Sequence, residues 1–306
     1  MVVYVIGMPG CGKSKTCKYL QIEKNYNSID LDRYIEELAK MDIPSIFHKY
    51  GESYFRTLET RALKLVSETQ TNTIVSCGGG VVCNPLNKEA MKNGVIVFLD
   101  ASIDTLKSHL EHSTHPRPLL KEKTIEQIYD ERINLYREFA DYTISYDDYI
   151  KAAEEIMSII KEESKKKILV INGPNLNMLG LRDPNHYGSL TLAEINNMME
   201  SETSFKFEFF QSNCEGEIVT KIQSYKEYDA IIINPAAYTH TSVAIHDALE
   251  IVDILKVEVH LSKVNEREDF RKINFVRSVV DTYFEGDKAL SYMKAIDYLK
   301  KKFNMV

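Results

Sequence analysis

The same pattern occurs twice in this chain of 306 residues: a short apolar run that leads directly into a loop rich in glycine and proline. The first copy is MVVYVIGMPGCGKS at the start, and the second, KILVINGPNLNMLGLRDPNHYG, begins at Lys167. Each is typical of the first strand of an α/β domain that runs into a ligand-binding loop. The first loop ends in a lysine and a serine, whereas the second carries asparagines, an arginine and a tyrosine. Two domains with two different sites are therefore predicted.

Strand-like runs alternate with amphipathic stretches through both halves, which is typical of a parallel sheet covered by helices. The first half offers the runs VVYVIG, NSIDLD, TIVSCGGG and VIVFLD. The second half offers five strands, a flavodoxin-like number. The first is the run that begins at Lys167, and the other four are FKFEFFQS, YDAIIINP, ILKVEVHLS and VRSVVDTYFEG. The charge run KEESKKK reads as a helix end and linker. We expect two three-layer α/β domains, residues 1–162 and 168–306, joined by a linker at 163–167.

Composition and charge limit the classes of function. The net charge of −7 is spread over both halves and no basic stripe occurs, so nucleic acid is not an expected partner. Five cysteines, an odd number and never spaced as CxxC, indicate neither a disulfide framework nor a zinc site, and they fit a cytoplasmic location. No apolar run approaches the ~18 residues of a membrane span, and no basic segment precedes the first apolar run, so neither membrane insertion nor export is expected.

The first loop, GMPGCGKS, is a full match to GxxxxGK[ST] between a predicted strand and a predicted helix. In such a loop glycines let backbone N–H groups surround phosphates, the lysine reaches the β and γ phosphates, and the hydroxyl binds Mg²⁺. The alternative is a glycine-rich turn that binds nothing. The nucleotide-binding residues predicted here are Gly10, Cys11, Gly12, Lys13, Ser14 and Lys15.

Asp30 and Asp32 end the next predicted strand and would lie on one face if that strand continued. Carboxylates near a phosphate loop can hold Mg²⁺ and orient an acceptor hydroxyl for in-line attack. The alternative is that Asp32 only caps a helix beginning near Arg33. We expect Asp30 to join Ser14 at the metal and Asp32 to serve catalysis at the acceptor.

The first half contains six motifs in this order: GMPGCGKS, DLD, FRTLE, CGGGV, RPLL and ERINLYRE. With their order and intervals, they resemble shikimate kinase over residues 1–162. The resemblance implies a P-loop kinase fold, ATP with Mg²⁺, and phosphorylation of shikimate. It also implies that Arg56 and Arg132 grip the shikimate carboxylate, a sensible use of bidentate arginine. The glycines after the third strand would hold the hydroxyls together with Asp32, and a lid residue would close over ATP. These residues are Gly78, Gly79, Gly80 and, on the lid, Arg117.

Asn134 stands where shikimate kinases often have proline, a mild departure. A nucleoside monophosphate kinase is the natural alternative, because it shares the phosphate loop and the lid. Its acceptor must carry a phosphate and a base, whereas two arginines and three glycines suit a small polyhydroxy acid.

The second loop has no lysine after its glycines, so a second phosphate loop of this type is excluded. Arg182 and Tyr187 lie five residues apart on a loop that could fold over a pocket. A nearby guanidinium favours the tyrosinate, a strong base suited to removing a proton next to a carbonyl. The alternative is a tyrosine packed under an ordinary loop.

Polar residues also follow the later strands of the second half. NPAAYTHTS brings Asn234 and His240, and EVHLS brings Glu258 and His260. Alternate residues of a strand share a face, so Glu258 can fix the tautomer of His260 and stabilise its protonated form, as in a general acid. The alternative is an ordinary solvated or core histidine.

INGPNLNMLGLRDPNHYG, FFQSN, INPAAYTHTSVAIHDA and KVEVHLSKVNEREDFR closely resemble type II 3-dehydroquinate dehydratase over residues 168–306. The resemblance implies a stepwise loss of water through an enolate, with no cofactor. It implies that Tyr187 takes the proton, Arg182 keeps it poised and Asn175 helps to hold a water. His260, supported by Glu258, would protonate the departing hydroxyl. The implied substrate-binding residues are Asn234, His240, Leu261, Ser262 and Arg271.

Two residues depart from that family's usual pattern: Asp183 where glutamate is more usual, and Cys214 where many members have histidine. In the family Asp247 reaches into a neighbouring subunit's site, and trimers pair into a dodecamer. We therefore expect a homo-oligomer, a dodecamer by resemblance, assembled through the second domain with the kinase domain outside.

The whole pattern predicts a bifunctional shikimate-pathway enzyme whose partners are the small molecules shikimate, ATP and 3-dehydroquinate. One alternative is that a half has become a scaffold or nucleotide sensor, but Lys13, Asp32 and Tyr187 are all present. The other is a P-loop nucleotide kinase fused to a flavodoxin-like dehydratase or binding domain.

Overall fold

The computed structural model describes residues 1–111, 123–146 and 148–305. Contacts divide the chain into two compact units, Met1–Ser164 and a second that starts at Lys165. Each unit has its own parallel five-stranded sheet and its own apolar core. The predicted fold class, two α/β units with parallel sheets, is confirmed.

In the first unit the sheet runs in the order β2-β3-β1-β4-β5, with all pairs parallel. Every residue of β1 is buried, as expected of a strand that is covered on both faces. Strands are added on both sides of β1, so a crevice opens at its carboxyl end. The strands are β1 Val2–Ile6, β2 Asn27–Asp30, β3 Thr73–Ser76, β4 Val95–Asp100 and β5 Tyr142–Ser145.

Seven helices of the first unit lie within the described residues. α6 begins with a capping box in which Thr124 and Gln127 bond each other's backbone N–H groups. α3 is broken at Gly51, whose φ of 81° suits glycine. The helices are α1 Lys13–Lys24, α2 Leu31–Ala39, α3 Ile43–Thr69, α4 Leu86–Met91, α5 Ile103–Glu111, α6 Ile125–Phe139 and α7 Tyr149–Glu163.

The sheet of the second unit runs in the order β7-β6-β8-β9-β10, again all parallel, which is the flavodoxin-like arrangement. Asn172 pairs with Asn234, and His260 pairs with Glu285, so the carboxyl ends of the strands align at one edge. The strands are β6 Lys166–Asn172, β7 Phe205–Gln211, β8 Ala230–Asn234, β9 Leu255–His260 and β10 Thr282–Glu285.

Alternate residues of β6 belong to two separate apolar clusters, so helices cover both faces of the second sheet. Ile168 and Val170 contribute to one cluster, and Leu169 and Ile171 to the other. The helices are α8 Pro184–Tyr187, α9 Leu192–Glu200, α10 Glu215–Gln223, α11 Val243–Glu250 and α12 Leu290–Lys302.

The charge run between the units forms regular structure, whereas the sequence suggested a linker at 163–167. α7 ends at Glu163 and β6 already begins at Lys166. The reason is Asp229, whose carboxylate accepts from Lys166 Nζ at 2.7 Å and from the backbone N–H of Lys167 at 2.9 Å. Pairing with this aspartate lets two lysines start a strand.

Among the described residues, none of the helices combines the length and the apolar character needed to cross a bilayer.

Candidate active sites

The first site begins where β1 ends. Gly10 and Gly12 have φ of 90° and 92°, values that residues with side chains rarely adopt. Gly12 is also the residue that precedes α1. The loop therefore delivers the chain to the amino end of a helix, where free backbone N–H groups and the helix dipole favour a phosphate.

Lys13 lies at the centre of this loop. Its side chain is buried, and Nζ donates to the carbonyl oxygens of Gly7 at 2.8 Å and Met8 at 3.0 Å, with Cys11 Sγ 3.6 Å away. Within the described ranges no carboxylate lies at salt-bridge distance from this ammonium. Its charge is therefore available to a phosphate, while the neighbouring Lys15 is exposed on α1.

Ser14 and Asp30, the residues predicted for the metal, line one open cavity of about 390 Å³. Ser76, at the end of β3, lies on the same cavity with its Oγ 3.5 Å from Ser14 Oγ. Hydroxyl and carboxylate oxygens are ligands that Mg²⁺ prefers, so the chemistry of this set fits a magnesium ion carried with a nucleotide.

The expectation that Asp30 and Asp32 share a strand face is wrong. β2 ends at Asp30, whose carboxylate accepts from the backbone N–H of Arg33 at 3.3 Å and caps α2. Asp32 lies in the first turn of that helix, so the capping residue is Asp30 and the alternative in which Asp32 is the cap is also wrong. The strand stops because the cap starts a helix two residues earlier than the pattern suggested.

Three glycines after β3 bring the remaining predicted residues together. A Cβ added to Gly78 would lie 2.7 Å from Asp32 Oδ1. One added to Gly79 would lie 2.8 Å from Pro9 Cγ, and one added to Gly80 would lie 2.5 Å from Arg56 Nη2. Arg132 Nη1 donates to the carbonyl of the middle glycine at 2.9 Å. Only glycine allows this approach, so the run joins the aspartate, both arginines and the phosphate loop.

Arg56 is held in place by Glu59, a residue that the sequence pattern did not single out. Glu59 is 1% exposed, and Arg56 Nη1 donates to its two oxygens at 3.2 and 3.1 Å. Asn87 Nδ2 donates to the same carboxylate at 3.0 Å. Burial raises the pKa of Glu59, although the charge and hydrogen bonds of Arg56 oppose it. The spacing of three residues on one helix was the available signal.

Asp32 titrates unusually close to neutral pH. Burial raises the pKa of Asp32 to about 6, and the negative charges of Asp30 and Glu59 add to the effect. A carboxylate tuned in this way can accept a proton from a hydroxyl near neutral pH.

Arg117, predicted on the lid, lies outside the described residues. Two aromatic residues that no motif indicated lie against the phosphate loop. His109 Nδ1 is 2.8 Å from the Gly10 carbonyl oxygen, and its ring meets Tyr146 edge-on. A Cβ on Gly12 would lie 2.2 Å from the Tyr146 hydroxyl, so this tyrosine lies directly over the loop.

The second site is a cavity of about 130 Å³ at the carboxyl edge of the second sheet. Its lining comes from the ends of β8 and β9 and from the loops that follow β6, β8 and β9. Most residues predicted from the second half line it: Asn175, Arg182, Tyr187, Asn234, His240, His260, Leu261, Ser262 and Arg271. Asp247 does not line it and is exposed on α11.

Tyr187 has two arginine neighbours with different geometries. The guanidinium carbon of Arg182 lies 3.6 Å from the ring centroid, over the ring face. Arg267 Nη1 donates to the Tyr187 hydroxyl at 2.7 Å. The arginine at the tyrosine hydroxyl is therefore Arg267, which the sequence pattern could not distinguish from the other charges of NEREDFR.

Glu258 and His260 point to the same side of β9, as strand alternation predicts. His260 Nε2 and Glu258 Oε1 are 2.8 Å apart, and both side chains are buried. Burial acts to raise the pKa of Glu258, but hydrogen bonds from His260 and Asn274 and the charge of Arg277 outweigh it and lower the pKa. Because Nε2 contacts the carboxylate, Nδ1 is left as the ring nitrogen for a substrate.

His240 lines the same cavity, and its surroundings favour the neutral ring. Burial lowers the pKa of His240, the charge of Arg271 contributes, and the hydrogen bond to the Ile273 carbonyl opposes. That bond joins Nδ1 to the carbonyl oxygen at 2.6 Å. Nε2 of a neutral ring is then free to accept a hydrogen bond.

Asn234 is fixed by a buried chain of hydrogen bonds that the motifs did not predict. Its Nδ2 donates to the Tyr292 hydroxyl at 3.1 Å, which donates to Asn172 Oδ1 at 2.5 Å. Asn175, across the cavity, has a φ of 65°, a left-handed conformation that asparagine tolerates. Of the two departures, Asp183 caps α8 through its side chain, whereas Cys214 precedes α10 without a side-chain capping bond.

Comparison with known proteins assigns the two halves to two families. The family model "Shikimate kinase" matches residues 9–164, and "Dehydroquinase class II" matches residues 166–300. A 3-dehydroquinate dehydratase of Haemophilus influenzae is 47% identical over 144 residues, 44% of this chain and 97% of that protein. One of Thermotoga petrophila is 45% identical over 139 residues, 44% of this chain and 96% of that protein.

A solved shikimate kinase of Acinetobacter baumannii is 29% identical, with a TM-score of 0.48, and the match covers 53% of this chain and 94% of that one. The shikimate kinase family model matches half of the chain, and this chain matches both dehydratases over nearly their whole length. The chain therefore belongs to the shikimate kinase family in its first half and to the class II dehydroquinase family in its second half.

Proposed function

We propose that this chain is a bifunctional shikimate-pathway enzyme and that the residues described above carry its two reactions. One half transfers a phosphoryl group from ATP to shikimate, and the other dehydrates 3-dehydroquinate to 3-dehydroshikimate. The observation that carries the proposal is that each unit holds a different set of groups, suited to its own reaction, at the carboxyl edge of its sheet.

In the kinase reaction the loop residues Gly10, Cys11, Gly12, Lys13, Ser14 and Lys15 hold the ATP phosphates. Lys13 stabilises the charge that develops on the transferred group, because its ammonium has only neutral partners in the described structure. Ser14 and Asp30 would hold Mg²⁺, and the bound ion would neutralise further phosphate charge. Arg117 is assigned to the lid by resemblance alone.

Shikimate lies against the three glycines in this proposal. Arg56 and Arg132 hold its carboxylate, and Asp32 with Gly78, Gly79 and Gly80 holds its hydroxyls. The acceptor oxygen attacks the γ-phosphorus in line, ADP leaves, and Asp32 accepts the hydroxyl proton. The rigid Arg56–Glu59 pair supports the first role, because it fixes the guanidinium before the substrate arrives.

In the dehydratase reaction Tyr187, as tyrosinate, removes the proton next to the ketone and leaves an enolate. Arg267 stabilises the phenolate at its oxygen and Arg182 does so from the ring face. His260 then protonates the hydroxyl as the C–O bond breaks, and water leaves. Glu258 stabilises the protonated ring.

The remaining cavity residues bind the substrate. Backbone N–H groups at Leu261 and Ser262 are suited to its carboxylate, and Asn175 holds a water at the enolate oxygen. Asn234, His240 and Arg271 bind its other polar groups. No cofactor is required for this elimination.

Assembly through the second unit is part of the proposal. Asp247 is assigned to the dehydratase site by resemblance, yet it does not line the cavity of its own unit. A second copy of the chain would supply it. The dodecamer of the resembled family is the expected form.

The two reactions are not consecutive, because dehydroshikimate must be reduced before it can be phosphorylated. Direct transfer between the sites is therefore not expected. Shared expression or assembly is the simpler reason for the fusion.

Reciprocal single substitutions test the assignment. Lys13→Met should lower shikimate-dependent ADP formation about 10²–10³-fold and leave the dehydratase rate unchanged. Tyr187→Phe should lower the dehydroquinate-dependent rise in enone absorbance about 10²–10⁴-fold and leave the kinase unchanged. Lys24→Met and Tyr225→Phe, matched substitutions away from both sites, should keep both rates.

Full dehydratase activity in Tyr187→Phe would contradict the proposed base. Phosphorylation of nucleoside monophosphates in place of shikimate would favour the nucleotide kinase alternative for the first half.

A further inference from the structure

Arg277 lies behind the proposed Glu258–His260 pair and does not line the cavity. Its Nε donates to Glu258 Oε2 at 2.7 Å, and its Nη2 donates to Glu285 Oε2 at 2.9 Å. Its guanidinium carbon lies 3.2 Å from the centroid of the Tyr283 ring. Three groups therefore fix one guanidinium that lies outside the cavity lining.

The register of the second sheet explains why these groups meet. β10 pairs with β9 so that Tyr283 lies opposite Glu258, and Glu285 lies opposite His260. Side chains at paired positions of neighbouring strands project to the same side. Arg277, on the turn just before β10, can therefore reach the Glu258 carboxylate and both side chains of the edge strand.

The Glu258 carboxylate is fully buried, and each of its two oxygens has different hydrogen-bond partners. Oε1 accepts from Asn274 Nδ2 at 2.7 Å and faces His260 Nε2 at 2.8 Å, while Oε2 accepts from Arg277. A buried carboxylate needs a cation or several hydrogen bonds to remain ionised. Arg277 is the permanent cation at this carboxylate, because the His260 ring carries a charge only when it is protonated.

We propose that Arg277 is a positioning residue of the dehydratase: it keeps Glu258 ionised and aimed at His260 Nε2, and it limits how strongly Glu258 retains a proton on the ring. The inference rests on the proposed role of His260 as the general acid.

The sign of the effect follows from charge. A cation beside the Glu258–His260 pair opposes protonation of the pair, so its removal should let the pair hold its proton to higher pH. Glu285 partly neutralises Arg277, so removal of the Glu285 charge should act in the opposite direction. Two substitutions on one network should therefore move the same titration in opposite directions.

Other ionisable groups face the Glu258–His260 pair from two sides. On the cavity side they are Arg182, Tyr187, His240, Arg267 and Arg271. On the side of β10 they are Arg277, Tyr283 and Glu285. Only Arg277 and Glu285 are changed in these variants, so a comparison of their pH profiles isolates the effect of these two charges.

The test measures kcat and KM of the dehydratase against pH in the full chain. A general acid must be protonated, so His260 governs the loss of activity at high pH. Arg277→Gln should lower kcat about 10–100-fold with KM changed less than about twofold, and it should move the high-pH limb up by about one pH unit. Arg277→Lys should return the limb and part of kcat, and Glu285→Gln should move the limb down.

Lys294→Gln is the matched control, because it removes an exposed cation paired only with Asp287 in the described structure. It should leave the profile unchanged. If Arg277→Gln does not fold, Arg277→Lys and Glu285→Gln carry the test, and a limb that stays in place in Glu285→Gln overturns the inference.

His260→Asn separates the two claims. If this variant loses the limb while Arg277→Gln leaves it in place, the role of Arg277 is wrong and that of His260 stands. If the limb persists in His260→Asn, both are wrong. A rise in KM with unchanged kcat in Arg277→Gln would also overturn the inference, because it would indicate direct substrate binding.

Discussion

Asp32 is the residue whose environment most directly predicts a pH dependence. Burial raises the pKa of Asp32 to about 6, and below that pH the carboxyl is protonated and cannot accept the acceptor proton. We expect kinase kcat/KM for shikimate to fall about tenfold per pH unit below about pH 6. Steady-state rates at saturating ATP between pH 5 and 8 would measure this limb.

Asp32→Asn identifies the group, because phosphate groups also titrate near pH 6. It should lower the rate about 10²-fold or more and abolish the limb, whereas the exposed Asp104→Asn should retain both. A limb of the same midpoint in Asp32→Asn would show that another group titrates.

At the level of residues, sequence reasoning succeeded where geometry is local. Glu258 and His260 are two positions apart on one strand, so the side chains had to share a face. Arg267 could not be found in the same way, because 80 positions separate it from Tyr187. Tyr292 is similar, because it supports Asn234 through a buried contact that only the packing defines. Glu59 differs, because it lies three residues from Arg56 on one helix and so carried a local signal.

Gly173, directly after β6, shows how closely the two loops that follow β6 and β8 approach each other. A Cβ there would lie 2.4 Å from the backbone oxygen of Pro235, an atom that cannot move without disturbing the end of β8. We expect Gly173→Ala to destabilise the unit by about 1–3 kcal/mol and to lower dehydratase activity. The temperature at which dehydratase activity is lost on heating should fall by about 4 °C or more.

Gly216→Ala is the matched control for that substitution. Gly216 lies in α10 with nothing within 4 Å of an added Cβ, so alanine should stabilise the helix by about 0.5–1 kcal/mol. Kinase activity in the same samples reports on the first unit. Equal inactivation temperatures for the two variants would contradict the proposed close approach.

The elements themselves were predictable wherever apolar periodicity was long. The five strands of the second unit and its longer helices follow the pattern, and so does β1 with its glycine loop. β5 was missed because its four residues are only partly buried and carry little apolar signal. The predicted strand NSIDLD was two residues too long, because Asp30 caps α2 and ends β2. A hydrophobic pattern does not show where such a cap begins a helix.

The chain as a whole should be divisible between its two units. Contacts separate it at Ser164 and Lys165, and β6 begins with two lysines that bond Asp229. We propose that fragments 1–164 and 165–306 each fold and keep kcat/KM of their own reaction within a few-fold of the full chain. Light scattering should give a monomer for the first and an oligomer for the second.

A fragment that starts at residue 168, the boundary suggested by sequence, provides the sharp comparison. It lacks Lys166 and Lys167, and therefore loses the first two pairs of β6 with β7 and both hydrogen bonds to the Asp229 carboxylate. Each lost bond is worth about 1 kcal/mol, so its midpoint of thermal unfolding should lie about 5 °C or more below that of 165–306. Equal midpoints would mean that these lysines belong to a linker after all, and an oligomeric kinase fragment would contradict assembly through the second unit alone.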